Sequence, residues 1–484
     1  MTLKNKKVLI INSGGINKTH TFAKAKELGL DLYLLLTEQD LIEKKWVLNY
    51  IPKKKIILSK DTNFETFIED VLVFQEKNGI KFDGVTTFVE EYTFQASCVA
   101  SALDKTFISP SAVINSSFYK YVMRERCKEK GIKTPYYHFF KTLKELKLLC
   151  KKLKFPVVIK PHDGNHSLAV IKINNPQNPR EVTKAFNLAK NEMNQYFSYR
   201  FDGDNLFILE EFIEGSLISV DGVIQNQKPK IVGFAEYFLS PDPLLVPEFN
   251  FIPPVSEHIL KNKQKIYAET KKILKALNFD NCGFHCEMKV NGDQVILIEV
   301  GARIAGGPIA QGYYRAYGLD LAKAAYQLSL GEQVEFKKTK NNCVMQKAVF
   351  TYETSLFKKD FIYKLKKYDY VKDLVKFYKE GDLIRIYGNQ AEAVFYYCVE
   401  ASNPKKLNDY LSEIADLKLY DFKPVEVEQK KSKVIADLKK KKNKLKKTKI
   451  GKVLKFVSDV CKIPFNYELK ANKVKNISWF DFFE

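Results

Sequence analysis

Two glutamates and an arginine pose the first chemical question. Glu287 and Glu299 sit in two apolar, β-branched runs joined at Asn291-Gly292, a dipeptide that signals a hairpin, and Arg303, Gly306 and Gly307 follow closely. Hard divalent cations take oxygen ligands, and Mg²⁺ is usually held by one or two carboxylates together with substrate phosphates. The spacing therefore points to a metal–nucleotide site. Register decides whether the two carboxylates can share it. A two-residue loop pairs Glu287 with Ile296 and sends Glu299 to the opposite face. A three-residue loop over 291–293 pairs Glu287 with Leu297 and puts both carboxylates on one face, about 7–8 Å apart diagonally. A shared site requires the second register, while Asn-Gly favours the first. The bland alternative is two solvent-face glutamates of an amphipathic hairpin.

Other segments carry compatible chemistry. The run from Phe155 to Lys160 is a buried strand that ends on a lysine and enters a polar loop containing Gly164 and Ser167. The lysine supplies charge there, and loop amides with the Ser167 hydroxyl can wrap phosphate oxygens. Leu206 to Leu209 form a second apolar strand, ending in Glu210 and Glu211 before a turn at Glu214-Gly215, as an adenine pocket at a hinge requires. Upstream, Lys120 precedes Met123-Arg124 and a turn from Gly131 to Pro135.

In this order, the fragments resemble the ATP-grasp superfamily, and within it the carboxylate–amine ligases that make dipeptides and related amides. The resemblance covers the organisation of roughly residues 1–400, with the E-x-x-x-R-x-x-G-G pattern running from Glu299 to Gly307. It implies ATP as cofactor, with Lys120 and Lys160 on the nucleotide phosphates and the 163–167 loop closing over them. It implies that Glu210 accepts the adenine amino group while the backbone of Glu211, Phe212 and Ile213 reads the ring edge. Glu287 and Glu299 would hold one or two Mg²⁺ ions, with Mn²⁺ as the alternative metal. Arg303 would stabilise the transferred phosphoryl group or acyl-phosphate, and the Gly306 and Gly307 amides would orient the acid.

The sequence departs from that pattern at several positions. A metal-binding asparagine common in the superfamily is replaced by Gly301, as is frequent in its amino-acid ligases. The ribose-binding glutamate is replaced by Leu217, for which Glu214 is a substitute. His166 and Ala169 stand in the phosphate loop where glycines are common.

The implied reaction activates a carboxylate as an acyl-phosphate, which an amine then attacks to leave an amide, ADP and phosphate. The rivals are another ATP-grasp outcome, either carboxylation or amide synthesis on a nucleotide precursor, and a non-catalytic ATP-grasp protein with a docking tail. Small-molecule carboxylates and amines are the expected partners, with a second copy of the chain as a candidate. Glu90, just past the strand that ends at Phe88, is a weak candidate for the amine subsite, with an N-cap or solvent glutamate as the alternative. His285 reads as an ordinary strand residue.

The expected architecture is α/β. Residues 1–110 form a Rossmann-like domain that precedes the ATP-grasp unit, opening with a strand from Lys7 to Ser13, a helix and a strand from Asp31 to Thr37. An α+β ATP-grasp domain with antiparallel sheets follows over 111–330, then a C-terminal lid over 331–425. At 484 residues, 45% hydrophobic, the chain is long enough for several cores. It has no apolar run of roughly 18 residues and no signal-peptide pattern, and its eight cysteines lack framework spacing. A cytoplasmic location follows, and zinc at Cys282 and Cys286 is rejected. Half of the +22 net charge lies between Lys430 and Lys452, where twelve lysines face only Asp437. Basicity therefore describes a helical tail over 426–484, a docking appendage for an anionic membrane or an acidic partner, with packing on its own body as the alternative, and nucleic-acid binding is not expected.

Overall fold

The computed structural model describes residues 3–153, 155–162, 169–195, 206–239, 247–306, 308–384 and 392–425. The lysine-rich tail lies outside these residues.

The N-terminal segment builds a parallel sheet. Its strands Lys7–Ile11, Asp31–Thr37, Ile56–Ser59 and Gly84–Thr86 lie in the order third, second, first, fourth, all parallel. These strands are apolar at consecutive positions because both faces are covered. Val8, Ile10, Leu32, Leu34 and Leu36 enter one core, while Leu9, Ile11, Tyr33 and Leu35 enter another on the opposite face. The second core is closed by the helices Phe64–Asn78 and Thr93–Ala102 through Phe67, Val71, Ala96 and Val99. The first is shared with the rest of the molecule: Ile304, Tyr313, Tyr326 and Leu328 belong to it. Tyr326 Oη donates to the Thr21 carbonyl at 3.1 Å, pinning the helix Leu321–Ser329 to the helix Thr19–Glu27. Each fully buried aliphatic side chain contributes about 1.5–3 kcal/mol, so this common core fixes the parallel sheet against the units that follow.

Two antiparallel sheets succeed it. The smaller has the order Tyr137–Phe140, Phe207–Glu211, Val157–Pro161, Ile171–Ile173. The helices Leu143–Cys150 and Pro179–Gln195 pack on it, the first opened by a capping box of Thr142 and Glu145. The larger sheet has eight strands. Its edge is the hairpin Gln294–Gly301 and Cys282–Asn291, followed inward by Ser216–Gln225, Lys228–Leu239 and Pro247–Phe251. Cys343–Thr351, Glu392–Ala401 and Val371–Lys376 complete it. The segment expected to form a lid thus extends the hairpin's own sheet. Arg315, on the helix Pro308–Tyr317, ties it down by donating to Glu400 at 3.0 Å and to Asp373 at 2.6 Å. A three-stranded sheet of Leu383–Ile384, Ser355–Asp360 and Tyr420–Pro424 lies beside it.

Gly222 sits where the large sheet is most crowded. A Cβ there would stand 2.3 Å from the Lys230 carbonyl oxygen and 2.8 Å from the Phe284 ring, and a backbone oxygen in a paired strand cannot retreat. Gly222→Ala is expected to destabilise the fold by about 1–3 kcal/mol, the cost of overpacking a filled site. Urea unfolding followed by circular dichroism measures it, and an unchanged midpoint would refute the packing described.

Candidate active site

The hairpin adopts neither register considered from sequence. Asn291 stays in its strand and pairs with Gln294, so the turn is Gly292-Asp293, and Gly292 takes the left-handed φ of 58°. Met288 pairs with Leu297, but Glu287 pairs with Glu299, which leaves Ile298 as an extra residue in a β-bulge. Without the bulge the two glutamates would point to opposite faces. With it they stand directly opposite each other, where Cα atoms are about 4.5–5.5 Å apart.

Adjacent like charges require offsetting groups, and these are present. Lys120 Nζ lies 3.5 Å from Glu299, whose side chain is 32% exposed. Burial raises the Glu299 pKa, but Lys120, Lys160, His285 and Arg124 outweigh it and hold the carboxyl at about 2. His285 Nε2 lies 3.3 Å from Glu287 Oε1, and its Nδ1 is 2.6 Å from Oδ1 of the fully buried Asp221. Burial disfavours the imidazolium, yet Asp221 and Glu287 raise its pKa to about 10. Asp221 also accepts from Tyr313 Oη at 2.8 Å and Ser219 Oγ at 2.7 Å. His285 is therefore more than a strand residue: with period two it shares a face with Glu287 and steadies it. The donor set suits a hard cation, being all carboxylate oxygen. No group of three or more Asp, Glu, His or Cys among the described residues could hold a metal alone. The pair needs further oxygens from a bound ligand, as a Mg²⁺–phosphate site does.

Lys120 and Lys160 share a cleft with this pair, lined also by Glu210, Glu211, Phe212 and Leu217. Lys120 opens the helix Lys120–Glu129 and is buried. Lys160 donates to Glu210 Oε2 at 2.5 Å, and the other Glu210 oxygen accepts from Arg124 Nε at 2.9 Å and Nη2 at 2.7 Å. Burial raises the Glu210 pKa, while Arg124 and Lys160 more than compensate and lower it. Glu210 thus carries two cations, leaving one of its roughly four lone-pair sites for a ligand. The Glu211 amide donates to the Tyr136 carbonyl at 2.8 Å and the Phe212 amide to the Pro156 carbonyl at 2.9 Å. Of the backbone expected to read a ring edge, the amides of Glu211 and Phe212 are thus committed within the fold.

Lys172 and Lys289 stand over the Phe212 ring at 3.9 and 5.6 Å from its centroid. Glu214 is exposed and is not among the cleft's lining residues, whereas Lys289 is. Gly164, Ser167 and Gly307 lie outside the described residues.

The N-terminal sheet reaches the same place from its C-terminal end. Glu90 is buried, and its Oε2 lies 2.7 Å from Arg303 Nε. The alternative of a solvent glutamate or N-cap does not apply. A Cβ on Gly301 would stand 2.4 Å from that same Oε2. The absent asparagine therefore has a physical counterpart: the space is filled by Glu90, which crosses it to hold Arg303. Lys18, which sequence reading passed over, lies beside Gly306 as well. Cys282 and Cys286 are buried free thiols.

The Gly301–Glu90 contact is testable. Gly301→Ala must displace the Glu90 carboxylate and cost its bond to Arg303, a charge-assisted interaction worth about 1.5–3 kcal/mol. We expect Gly301→Ala and Glu90→Ala each to lower ATP turnover about tenfold or more, and the double variant to be no worse than Glu90→Ala alone. Additive losses would show that the two residues act separately.

Comparison with known proteins bears on the fold that carries this site. The ATP-grasp domain family matches residues 153–311. Dapdiamide A synthase of Enterobacter agglomerans is 25% identical over 225 residues, which cover 44% of this chain and 48% of that protein. The chain thus aligns with about half the length of that curated relative. Among solved structures, an L-amino acid ligase from Bacillus licheniformis superposes with a TM-score of 0.70 at 19% identity, covering 87% of this chain and all of that one. Phosphoribosylglycinamide synthetase from Anaerococcus prevotii gives 0.61 at 20% identity, covering 87% of this chain and 100% of its own. Residues 153–311 thus match the ATP-grasp domain family, and the described residues share the fold of these two ligases.

Proposed function

We propose that the protein is an ATP-dependent carboxylate–amine ligase that forms an amide through an acyl-phosphate and releases ADP and phosphate, with amino acids as its substrate class. The observation that carries this reading is the bulge-enforced pair Glu287 and Glu299, set in one cleft with Lys120 and Lys160 and continued by an Arg303 that is held ready by Glu90. A carboxylate is a poor electrophile, and its activation crowds negative charge that must be neutralised. Lys120 and Lys160 are placed for phosphates present in the ground state. Arg303 sits further along, where charge migrates to the acyl-phosphate. Mg²⁺ held by Glu287 and Glu299 would supply additional neutralisation of the phosphate oxygens. The name of the structurally similar L-amino acid ligase supports amino acids over bicarbonate as the acid.

No described helix is long and apolar enough to cross a membrane. The seven described cysteines are free and buried, which supports the cytoplasm as the site of action.

The direct test is ADP release by the full chain with amino acids supplied singly and in pairs, and with bicarbonate. Stimulation that needs a pair supports ligation, whereas bicarbonate dependence transfers the protein to the carboxylating branch. Glu287→Gln and Glu299→Gln are expected to lower turnover by roughly two orders of magnitude or more, the scale of a lost charge-stabilising group, with the far-ultraviolet spectrum unchanged. Near-wild-type turnover of both at saturating Mg²⁺ would remove the metal assignment.

Lys160 and Arg303 are expected to divide the labour. Lys160→Ala should raise the dissociation constant for ATP with a smaller change in kcat, while Arg303→Ala should lower kcat with ATP affinity kept. Calorimetry with a non-hydrolysable ATP analogue separates these, and equal loss of affinity in both variants contradicts the assignment.

A further inference from the structure

One cation of the site has no task in the chemistry above. Lys18 ends the short 3₁₀ turn Ile16–Lys18, just beyond the first parallel strand, and is only 9% exposed. Its stem packs where Gly14 leaves room: a Cβ on Gly14 would stand 3.0 Å from Lys18 Cγ and equally close to Val89. The ammonium is thereby directed at the Gly306 backbone. A Cβ on Gly306 would stand 3.8 Å from Lys18 Nζ and 3.6 Å from Arg303 Nη1, so two cations converge on one glycine.

Among the described residues no carboxylate closes an ion pair with Lys18. Glu90 and Glu91 act on it only through space, and Glu90 Oε2 is engaged by Arg303. On the helix that follows, His20 is partly buried and carries a pKa lowered to about 4 by burial and by Lys18, so it is neutral. A nearly buried ammonium beside a guanidinium, with no bonded counter-charge, is an expensive arrangement unless an anion visits it. Lys18 is also absent from the lining of the cleft that holds Lys120, Lys160, Glu287 and Glu299. The visiting anion is therefore assigned a place outside that cleft.

We propose that Lys18 and Arg303 together receive the carboxylate of the acid substrate over Gly306, so that the N-terminal parallel sheet supplies a binding residue to the ATP-grasp site. This rests on the ligase reading given above. It assigns the two ends of the assembly different ligands: the cleft between the antiparallel sheets takes the nucleotide, and the C-terminal end of the parallel sheet takes a small carboxylate. Glu90 and Glu91 at the same end complement the ammonium of an α-amino acid, whose carboxylate then faces Lys18.

Protonation adds a signature. Burial and then Arg303 lower the Lys18 pKa to about 7, against the partial restoring effect of Glu91 and Glu90. Only the charged form attracts a carboxylate, so the KM for the acid should rise as pH climbs through about 7.

The experiment uses the full chain and its Lys18→Met and Lys18→Arg variants, assayed for ADP release with amino-acid pairs. Lys18→Met is expected to raise the KM of one amino acid about tenfold to hundredfold, the weight of one charge-assisted hydrogen bond. The KM for ATP and the calorimetric affinity for ADP should stay within about twofold, and the neutral-pH break in the amino-acid KM should vanish. Lys18→Arg should recover most of the affinity and also lack the break, because a guanidinium does not titrate there. Unchanged amino-acid KM values in Lys18→Met, or an equal loss for ADP, would overturn the proposal. If no amino acid stimulates wild-type turnover, the ligase reading has failed, and Lys18 is judged separately by trace acetylation with peptide mass spectrometry. Inorganic phosphate should then protect Lys18 several-fold while the surface residue Lys26 keeps its labelling. Absence of that protection would refute an anion subsite at Lys18 altogether.

Discussion

The structure turns on one buried ion cluster, Arg124 with Glu210 and Lys160. Arg124 is fully buried, and besides binding Glu210 it donates from Nη2 to the Ile298 carbonyl at 2.7 Å. Ile298 is the bulged residue that brings Glu287 opposite Glu299. A single guanidinium therefore joins the strand of Glu210, and through Glu210 the lysine strand, to the bulge of the glutamate hairpin. Burying such charges costs several kcal/mol per ion before any attraction is counted, and losing one partner of such a cluster costs roughly 3–5 kcal/mol. An apolar cluster of equal volume would pack as well but could not donate a directed bond to the bulge carbonyl. The planar fork of arginine supplies two such directions at once, which a lysine cannot.

A second constraint is the shared core between the parallel sheet and the units that follow. Val8, Ile10 and the even-numbered leucines of the next strand pack in one cluster with Tyr313, Tyr326 and Ile304. Parallel sheets collect ligands at the C-terminal ends of their strands, and here those ends carry Lys18 and Glu90. Because Ile304 is adjacent to Arg303 and belongs to the common core, the arginine has a fixed address relative to Glu90. On the proposed reading, substrate selection and phosphoryl chemistry are thus joined by apolar packing, with no loop closure needed to bring these residues together.

Much of this was legible in the amino-acid sequence, and the exceptions have physical causes. The parallel strands, the lysine strand and the two glutamates were visible because apolar runs and terminal charges mark them directly. The register was not. A bulge at Ile298 has no composition signature, since it is fixed by a bond from Arg124, 174 positions away, and a one-residue slip inverts every side chain beyond it. Lys18 was hidden for a different reason. In a chain with 79 lysines and arginines, one more lysine near a Gly-Gly turn carries no signal until burial singles it out. His285 and Arg124 were likewise in view as letters, and only the three-dimensional placement of Asp221 and Glu210 gives them partners.

Gly301 shows how one position can trade one function against another. A residue with a side chain there could add an oxygen to a metal site, as the superfamily's asparagine does. It could not coexist with Glu90, whose carboxylate occupies the space that a Cβ would need. With glycine, on the proposed reading, the metal would keep two carboxylates, and the arginine gains a buried anion that fixes its position. That exchange suits a reaction in which the acid substrate must be held beside the transferred phosphoryl group: two carboxylates and the nucleotide's own oxygens suffice for a hard cation, whereas an arginine that wandered between rotamers would forfeit the oriented charge on which stabilisation of the acyl-phosphate depends. The glycine is therefore explained by the residue it admits more than by the backbone freedom it provides.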